Sequence, residues 1–392
     1  MTSFGHSCRS QWLLDPDVTY LNHGTVGATP IAVLEEQRKI RDEIERQPAK
    51  FLFRELFETT PPQQHIATPR LRAAANTVGE FLGADGDDIV FVDNASAGVN
   101  AVLRSFPFDA GDTLVLTSFG YGSFPGLADF VQRRHGVNIV TIDLPLPVLT
   151  HEELIEAFSA GLPQGARMVI VDHIASATGM RMPIEEMAKI CRERGVLLFV
   201  DGAHAPGSIH LDISAIGADL YVGNLHKWMW TPRSSAILWA RPELQPLLHP
   251  TVLSWGYNQG FRAEFDLVGT RDPSAHLTAP SAIAHLKNAG FDSVVHHNHT
   301  LVRQARDLLC AEWDVHPITP DDGLCTLVAV PLPSRLGLTP QDVPAFRNTL
   351  LDTHNIEVHV ASSKGQIWVR IAAQIYNDLT DVERLASVVN GL

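Results

Sequence analysis

Cysteine is scarce in this chain: four in 392 residues, Cys8, Cys191, Cys310 and Cys325, with no CxxC pair. That argues against a disulfide framework and a cysteine zinc site, and makes a reducing, cytoplasmic setting the expectation. Long hydrophobic runs are missing too, since no apolar stretch reaches the roughly 18 residues of a membrane span. Residues 1–14 lack the basic end and apolar core of a signal peptide. Basic runs are absent. Lys and Arg number 30 against 44 Asp and Glu, a net charge of −14, so neither a nucleic-acid nor an anionic-membrane surface is expected. Internal repeats and low-complexity tracts are also lacking. What is there is ordinary globular composition, 45% hydrophobic and 19% charged. The length suits two or three domains with a large core, and an enzyme is the natural expectation.

Short apolar runs alternate with amphipathic stretches through the middle of the chain. Strands are predicted at 89–92, 113–117, 137–142, 168–172, 197–201, 220–223 and 235–239. Several are apolar throughout rather than alternating, which suits strands buried on both faces. Helices are predicted between them, at 152–160 after the N-cap residue Thr150 and at 184–194 between Pro183 and Gly195. Strand, helix, strand at this spacing predicts an α/β fold around a mostly parallel sheet. After about residue 270 the pattern becomes α+β. Helices are predicted at 280–289, 293–312, 343–354 and 381–390, a strand at 324–331, and paired strands at 356–360 and 366–372. The expected organisation is an N-terminal arm (1–25) beside a small C-terminal domain (271–392), with a large domain (26–270) between. The Pro- and Gly-bearing stretch 254–273 reads as the interdomain segment.

The most informative stretch is 197–230, LLFVDGAHAPGSIHLDISAIGADLYVGNLHKWMW. One apolar strand ends at Asp201 and the next runs to His226-Lys227. Ligands of open α/β sheets sit at the carboxyl ends of the strands. A carboxylate and a lysine delivered there suit a pyridoxal phosphate site. The amine forms a Schiff base with the cofactor aldehyde, and the carboxylate keeps the pyridine nitrogen protonated so that the ring accepts electrons. Taken alone, the two residues read more readily as solvated loop charges.

DGAH followed by NLHKW resembles the class V aminotransferase family of fold-type I pyridoxal phosphate enzymes, and within it the isopenicillin N epimerase-like branch. The resemblance runs from Tyr20 to Tyr376. It implies that Lys227 is the Schiff-base lysine, Asp201 the partner of the pyridine nitrogen, and His204 a catalytic neighbour of ring hydroxyl and lysine, with a packing role for His204 as the alternative. Asn224 and His226 match phosphate-binding positions, although relatives often carry Ser or Thr at Asn224. FVDNASAGVN resembles the phosphate turn, with Ala95 and Ser96 opening a helix whose free N–H groups favour an anion. An ordinary N-cap looks similar.

Further correspondences extend the site. Tyr121, in SFGYGSF, matches the aromatic that stacks on the ring. In DHIAS, Ser176 matches a contact to the ring hydroxyl. Asp172 is placed on the cofactor side, with lining the substrate side or capping the strand as alternatives. Gly269 and Thr270 match a phosphate contact donated by a neighbouring subunit, which implies a homodimer with the active site at the interface. Arg271 beside them is a candidate interface or substrate residue. Arg370, in QIWVRIAAQ, resembles the arginine that binds the substrate α-carboxylate, a task its planar fork suits. Asn22 and His23, in LNHG, resemble the substrate-side segment, with a turn as the alternative for His23. Trp228, Trp230 and Trp255 are candidates for a pocket wall or for core. The run His296-His297-Asn298-His299 lies in a helical stretch, where its side chains fan apart, so no metal is expected.

The resemblance implies a small amino-acid substrate handled at Cα through an external aldimine and carbanion. An epimerase or racemase of the isopenicillin N epimerase type comes first. A C–S or β-lyase akin to hercynylcysteine sulfoxide lyase comes second, an aminotransferase third, and a non-catalytic binding protein last. Residues 350–370 contain no cysteine, which disfavours a desulfurase working through a persulfide. Epimerisation needs a second proton-transfer group, for which His204, His23 and Tyr121 are the candidates.

Overall fold

A computed structural model describes residues 4–57 and 68–392. The first three residues of the arm and residues 58–67 of the large domain lie outside the described residues. Strand β1 is Thr19–Tyr20, followed by β2 (Ile89–Val92), β3 (Thr113–Thr117), β4 (Asn138–Ile142), β5 (Met168–Asp172), β6 (Leu197–Asp201), β7 (Leu220–Asn224) and β8 (Ala236–Ala240). Strands β2 to β8 form one seven-stranded sheet in the order β2-β8-β7-β6-β5-β3-β4. Strands β3 to β7 pair in parallel, while β8 runs antiparallel to both its neighbours, β7 and β2. The fold is thus α/β with a mostly parallel sheet.

The apolar strands account for the layers. β2, β5, β7 and β8 are buried at every position. One face carries the cluster of Val169, Val171, Leu198, Val200 and Tyr221. The other carries Val90, Ile170, Phe199, Leu220 and Val222. Helices on both faces supply the remaining apolar surface, as a sheet with no wet side requires. Local signals set their ends. The Thr150 side chain accepts from Glu153 N–H at the start of helix His151–Gly161. Helix Ile184–Arg194 stops at Gly195 in the left-handed region, at φ 66°.

The C-terminal part holds β9 (Leu327–Pro331), β10 (Ile356–Glu357), β11 (His359–Ser363) and β12 (Gln366–Ala372). β11, β12 and β9 form an antiparallel sheet, whereas β10 pairs in parallel with β1. The predicted strand 356–360 is therefore two strands serving two sheets. The segment 254–273 is not a plain connector. It carries helix Phe261–Asp266, whose Phe261 and Phe265 join the large-sheet core. Helix Ala279–Ala289 also packs against the large-sheet helix Arg70–Leu82, and the chain joins the small sheet only with helix Phe291–Trp313, which packs on β9. Among the described residues no helix is long and apolar enough to cross a membrane.

Candidate active site at the strand ends

Strands β5, β6 and β7 end along one edge of the sheet, so Asp172, Asp201 and Asn224 arrive together. Asp172 and Asp201 are register partners. The chain leaves β6 through Gly202, where a Cβ would stand 2.0 Å from the Tyr221 hydroxyl. Only glycine fits that approach. The turn brings Ala203 N–H onto Asp201 Oδ1 at 2.9 Å and sends His204 back under the sheet edge. After β7, Leu225 N–H bonds to Ser235 O and Thr231 N–H to Leu225 O, which closes the loop that presents Lys227. Trp230 takes a positive φ of 62° in that loop and is fully buried.

These elements enclose a cavity of about 370 Å³. Lys227, Asp201, Asp172 and His204 line it from the strand ends. Ala95, Ser96, Asn224 and His226 line it on the side of helix Ala95–Ser105, and Tyr121 and Ser176 from the two flanking loops. Lys227 Nζ and His204 Nε2 share a hydrogen bond at 3.1 Å. His204 Nδ1 is buried and has no partner. Gly98 lets helix Ala95–Ser105 lie close on β7, since a Cβ there would meet Val222 Cγ1 at 2.6 Å.

Burial governs the electrostatics. It lowers the Lys227 amine to about 7, with Arg370 pushing the same way and Asp201 and Asp172 opposing. The amine is therefore substantially neutral near pH 7. Burial raises Asp201 to about 6 and Asp172 well above the usual carboxylate range, the latter also through the charge of Asp201. His204 is driven well below its ordinary value by burial and by Lys227. Burial lowers His226 to about 4. Its Nδ1–H donates to Ser235 O at 2.8 Å, so Nε2 reaches an anion as a donor only in the protonated form.

Arg370 on β12 approaches the site from the small sheet. It is 2% exposed and pairs with no carboxylate among the described residues. Its donors reach neutral oxygens instead: Ser176 O, Thr25 Oγ1 at 2.9 Å and Asn22 Oδ1 at 3.3 Å. Its Nε has no partner. Burial brings its ordinary value down to about 10. A buried guanidinium held only by neutral groups is costly unless an anion joins it.

Asn22, His23, Gly269 and Thr270 do not line this cavity, and Asn224 lines it with its oxygen already spent. His23 turns away from the cavity: Tyr376 Oη donates to its Nδ1 at 2.9 Å, and its Nε2 bonds to the Lys227 carbonyl at 3.0 Å. It therefore holds the lysine's main chain and does not reach the cavity. Asn22 spans Arg370 and Glu357, so it orients the arginine. Asn224 spends its Oδ1 on Ala95 N–H at 2.8 Å, and Asn94 takes Ala97 N–H. The helix thus offers the cavity the Ser96 hydroxyl and the amide between these two. Gly269 and Thr270 line a different cavity with Leu52, Phe53 and Trp255. Arg271 is tied to Asp93 at 3.3 Å.

Trp228 and Trp230 are core. Trp255 is 76% exposed, packing on Phe53, so it walls no part of the lysine cavity. His297 and His299 bond to separate backbone carbonyls, of Asn377 and Ser208, and do not converge. Thr25 and Glu357 were not legible beforehand, because their roles depend on partners more than 300 residues away in the chain.

The donor set fits pyridoxal phosphate. Two residues that line the cavity with Lys227 carry buried polar atoms without partners, His204 Nδ1 and Asp172 Oδ1, and Arg370, whose Nε has none either, is near enough to lower the lysine. A helix N-terminus and Ser96 lie on one side, and a buried carboxylate, Asp201, on the other.

A family model for aminotransferase class-V matches residues 60–385. The chain is 33% identical to a probable chloroplastic L-cysteine desulfhydrase of Arabidopsis thaliana, over 96% of this chain and 83% of that one. It is 30% identical to isopenicillin N epimerase of Amycolatopsis lactamdurans, over 98% of each. Among solved structures, a cysteine desulfurase from Thermococcus onnurineus NA1 superposes over the whole of both chains with a TM-score of 0.80 at 23% identity, a likeness of fold.

Proposed function

The chain belongs to the class V aminotransferase family, and on that premise we propose that it is a C–S lyase, removing a sulfur substituent from Cβ of a small amino acid. It is a pyridoxal 5′-phosphate enzyme of this family. When bound, the cofactor supplies an electron sink for the pair left when Cα loses its proton. Lys227 would hold it covalently, Asp201 would keep its ring nitrogen protonated, and the hydroxyl and main-chain N–H of Ser96, with His226 in its protonated form, would receive its phosphate. Arg370 binds the substrate carboxylate, with Asn22 and Thr25 fixing its fork. Lys227, neutral near pH 7, takes the Cα proton, and His204 aims the amine.

One observation carries the choice of reaction. The proton-handling groups form a single cluster, because His204 is bonded to Lys227 and His23 has both ring nitrogens occupied by protein groups. One-sided proton chemistry serves elimination, in which a second group departs from Cβ. Epimerisation needs a donor on the opposite face. Tyr121, which lines the same cavity, supports that second reading, as does the 30% identity to isopenicillin N epimerase. A persulfide route has no thiol to use, since Cys325 is fully buried and burial raises it.

The homodimer belongs to the same proposal. Gly269 and Thr270 open beside the exposed Trp255 and Phe53, where a second copy could receive them. For the domains, the packing of helix Ala279–Ala289 favours a boundary near residue 290 over one at 270. The experiment is incubation of the holoenzyme with cysteine, S-substituted cysteines and other amino acids in deuterated water. Release of pyruvate and ammonia supports the lyase. Cα deuteration with inversion and no release replaces it with the epimerase, and conversion of the cofactor to its amine form replaces it with a transaminase.

A further inference from the structure

Two carboxyl groups line the strand-end cavity from neighbouring strands. Asp172 and Asp201 are register partners on adjacent parallel strands. Such residues project on the same face, and both side chains line the cavity. They are 3% and 4% exposed. Lys227 Nζ is bonded to His204 and not to either carboxylate. Asp201 Oδ1 accepts from Ala203 N–H, whereas Asp172 Oδ1 has no partner.

We infer that Asp172 and Asp201 act as a carboxyl pair that holds one negative charge, with the proton on Asp172 and the charge on Asp201. Two like charges buried side by side disfavour double ionisation, so the pair keeps a proton that two isolated carboxylates would lose. The groups facing the pair are few. Lys227 comes from the loop after β7, His204 is neutral and follows β6, and the main-chain N–H groups of Ser176 and Tyr121 reach Asp172. Burial raises both acids, but Asp172 the further, because the charge of Asp201 adds to it. Asp172 is thus a positioning residue. A second anion would hold the Lys227 ammonium and leave less free amine, so the proton on Asp172 keeps the lysine usable. What this does for the cofactor rests on the reading above, but the charge state of the pair does not.

The test is isotope-edited infrared spectroscopy of the purified holoenzyme near neutral pH, with the cofactor-free protein as a control. The native protein is expected to carry a protonated-carboxyl C=O band that is lost in Asp172→Asn and in Asp172→Ala, and that titrates away at a lower pH in Asp201→Asn, where the charge of Asp201 no longer raises Asp172. A band that is absent from the native protein, survives both Asp172 variants, or disappears only in Asp201→Asn overturns the inference. A second readout is the pH midpoint of the visible cofactor absorbance. Asp172→Asn exchanges one neutral donor for another and leaves that midpoint in place. A downward shift would mean that an anion had been removed, and the inference fails. If no cofactor is taken up at all, the cofactor reading fails while the infrared result still decides the pair.

Discussion

Two cavities of the described residues are opposite in character. The one at the strand ends, about 370 Å³, is lined by buried polar groups that lack partners. The one beneath Trp255, about 240 Å³, is lined chiefly by Leu52, Phe53, Leu56, Phe57 and Leu71. Its charged lining is largely paired within the protein, Asp266 with Arg72 at 2.8 Å and Arg271 with Asp93 at 3.3 Å, and only Arg271 Nη2 among those two lining groups is left without a partner. The difference separates two kinds of unfinished surface. Buried polar atoms without partners cost free energy unless a ligand completes them, which marks chemistry. An exposed aromatic such as Trp255 lacks cover of its own, which marks contact with another molecule.

Replacing Lys227 with Ala tests the first half of that contrast most severely. Turnover should fall roughly 10²–10⁴-fold, the usual weight of a positioned acid–base group, and the visible absorbance of the lysine-held cofactor should vanish. A variant within tenfold of the native enzyme would remove the strand-end cavity from the reaction. Arg370→Ala comes next. Loss of the guanidinium should cost about 2–5 kcal/mol in kcat/KM, mostly through KM, because a bound carboxylate would be left unpaired. Arg370→Lys should recover only part, as a point charge lacks the fork. An unchanged KM would free the arginine from substrate binding.

Trp255→Ser probes the other cavity. Loss of an interfacial tryptophan should weaken self-association by about 2 kcal/mol, seen as a monomer population in sedimentation at low concentration. A variant that sediments as native would make that apolar cavity something other than a subunit contact. The smallest effect is a pH dependence. Uptake of the cofactor by cofactor-free protein needs the neutral Lys227 amine. Burial and Arg370 lower that group to about 7, so the uptake rate should rise through about pH 7 and level off above it. Below that midpoint it should fall about tenfold per pH unit. A midpoint near the ordinary lysine value would show the amine to be well solvated.

Much of this was legible along the chain, for identifiable reasons. Strands β5, β6 and β7 are apolar throughout because helices cover both their faces, and such runs announce themselves. Asp201 and Lys227 stand at the ends of those runs, so strand position alone brought them near one another. The roles of His23, Asn22 and Thr25 were not legible. Each is fixed by a partner far along the chain, the Lys227 carbonyl for His23 and Arg370 for the other two. Asn224 was read as a phosphate ligand by position, yet its side-chain oxygen is spent on Ala95 N–H, a bond that exists only once β7 and helix Ala95–Ser105 are packed. The split of 356–360 into β10 and β11 was hidden likewise, because pairing with β1 leaves no mark on the alternating stretch Ile-Glu-Val-His-Val.

The sequence by itself determined the α/β class, the strand ends that carry Asp172, Asp201 and Lys227, and the absence of a thiol before Arg370. Periodicity and residue type suffice for these, because each depends on a few neighbouring residues. Only the tertiary structure decided which polar atoms remain without partners, which histidine touches the amine and which only its main chain, and that two carboxyl groups share one buried corner. Burial and register set those outcomes, and both come from contacts between segments far apart in the chain, where no local pattern records them.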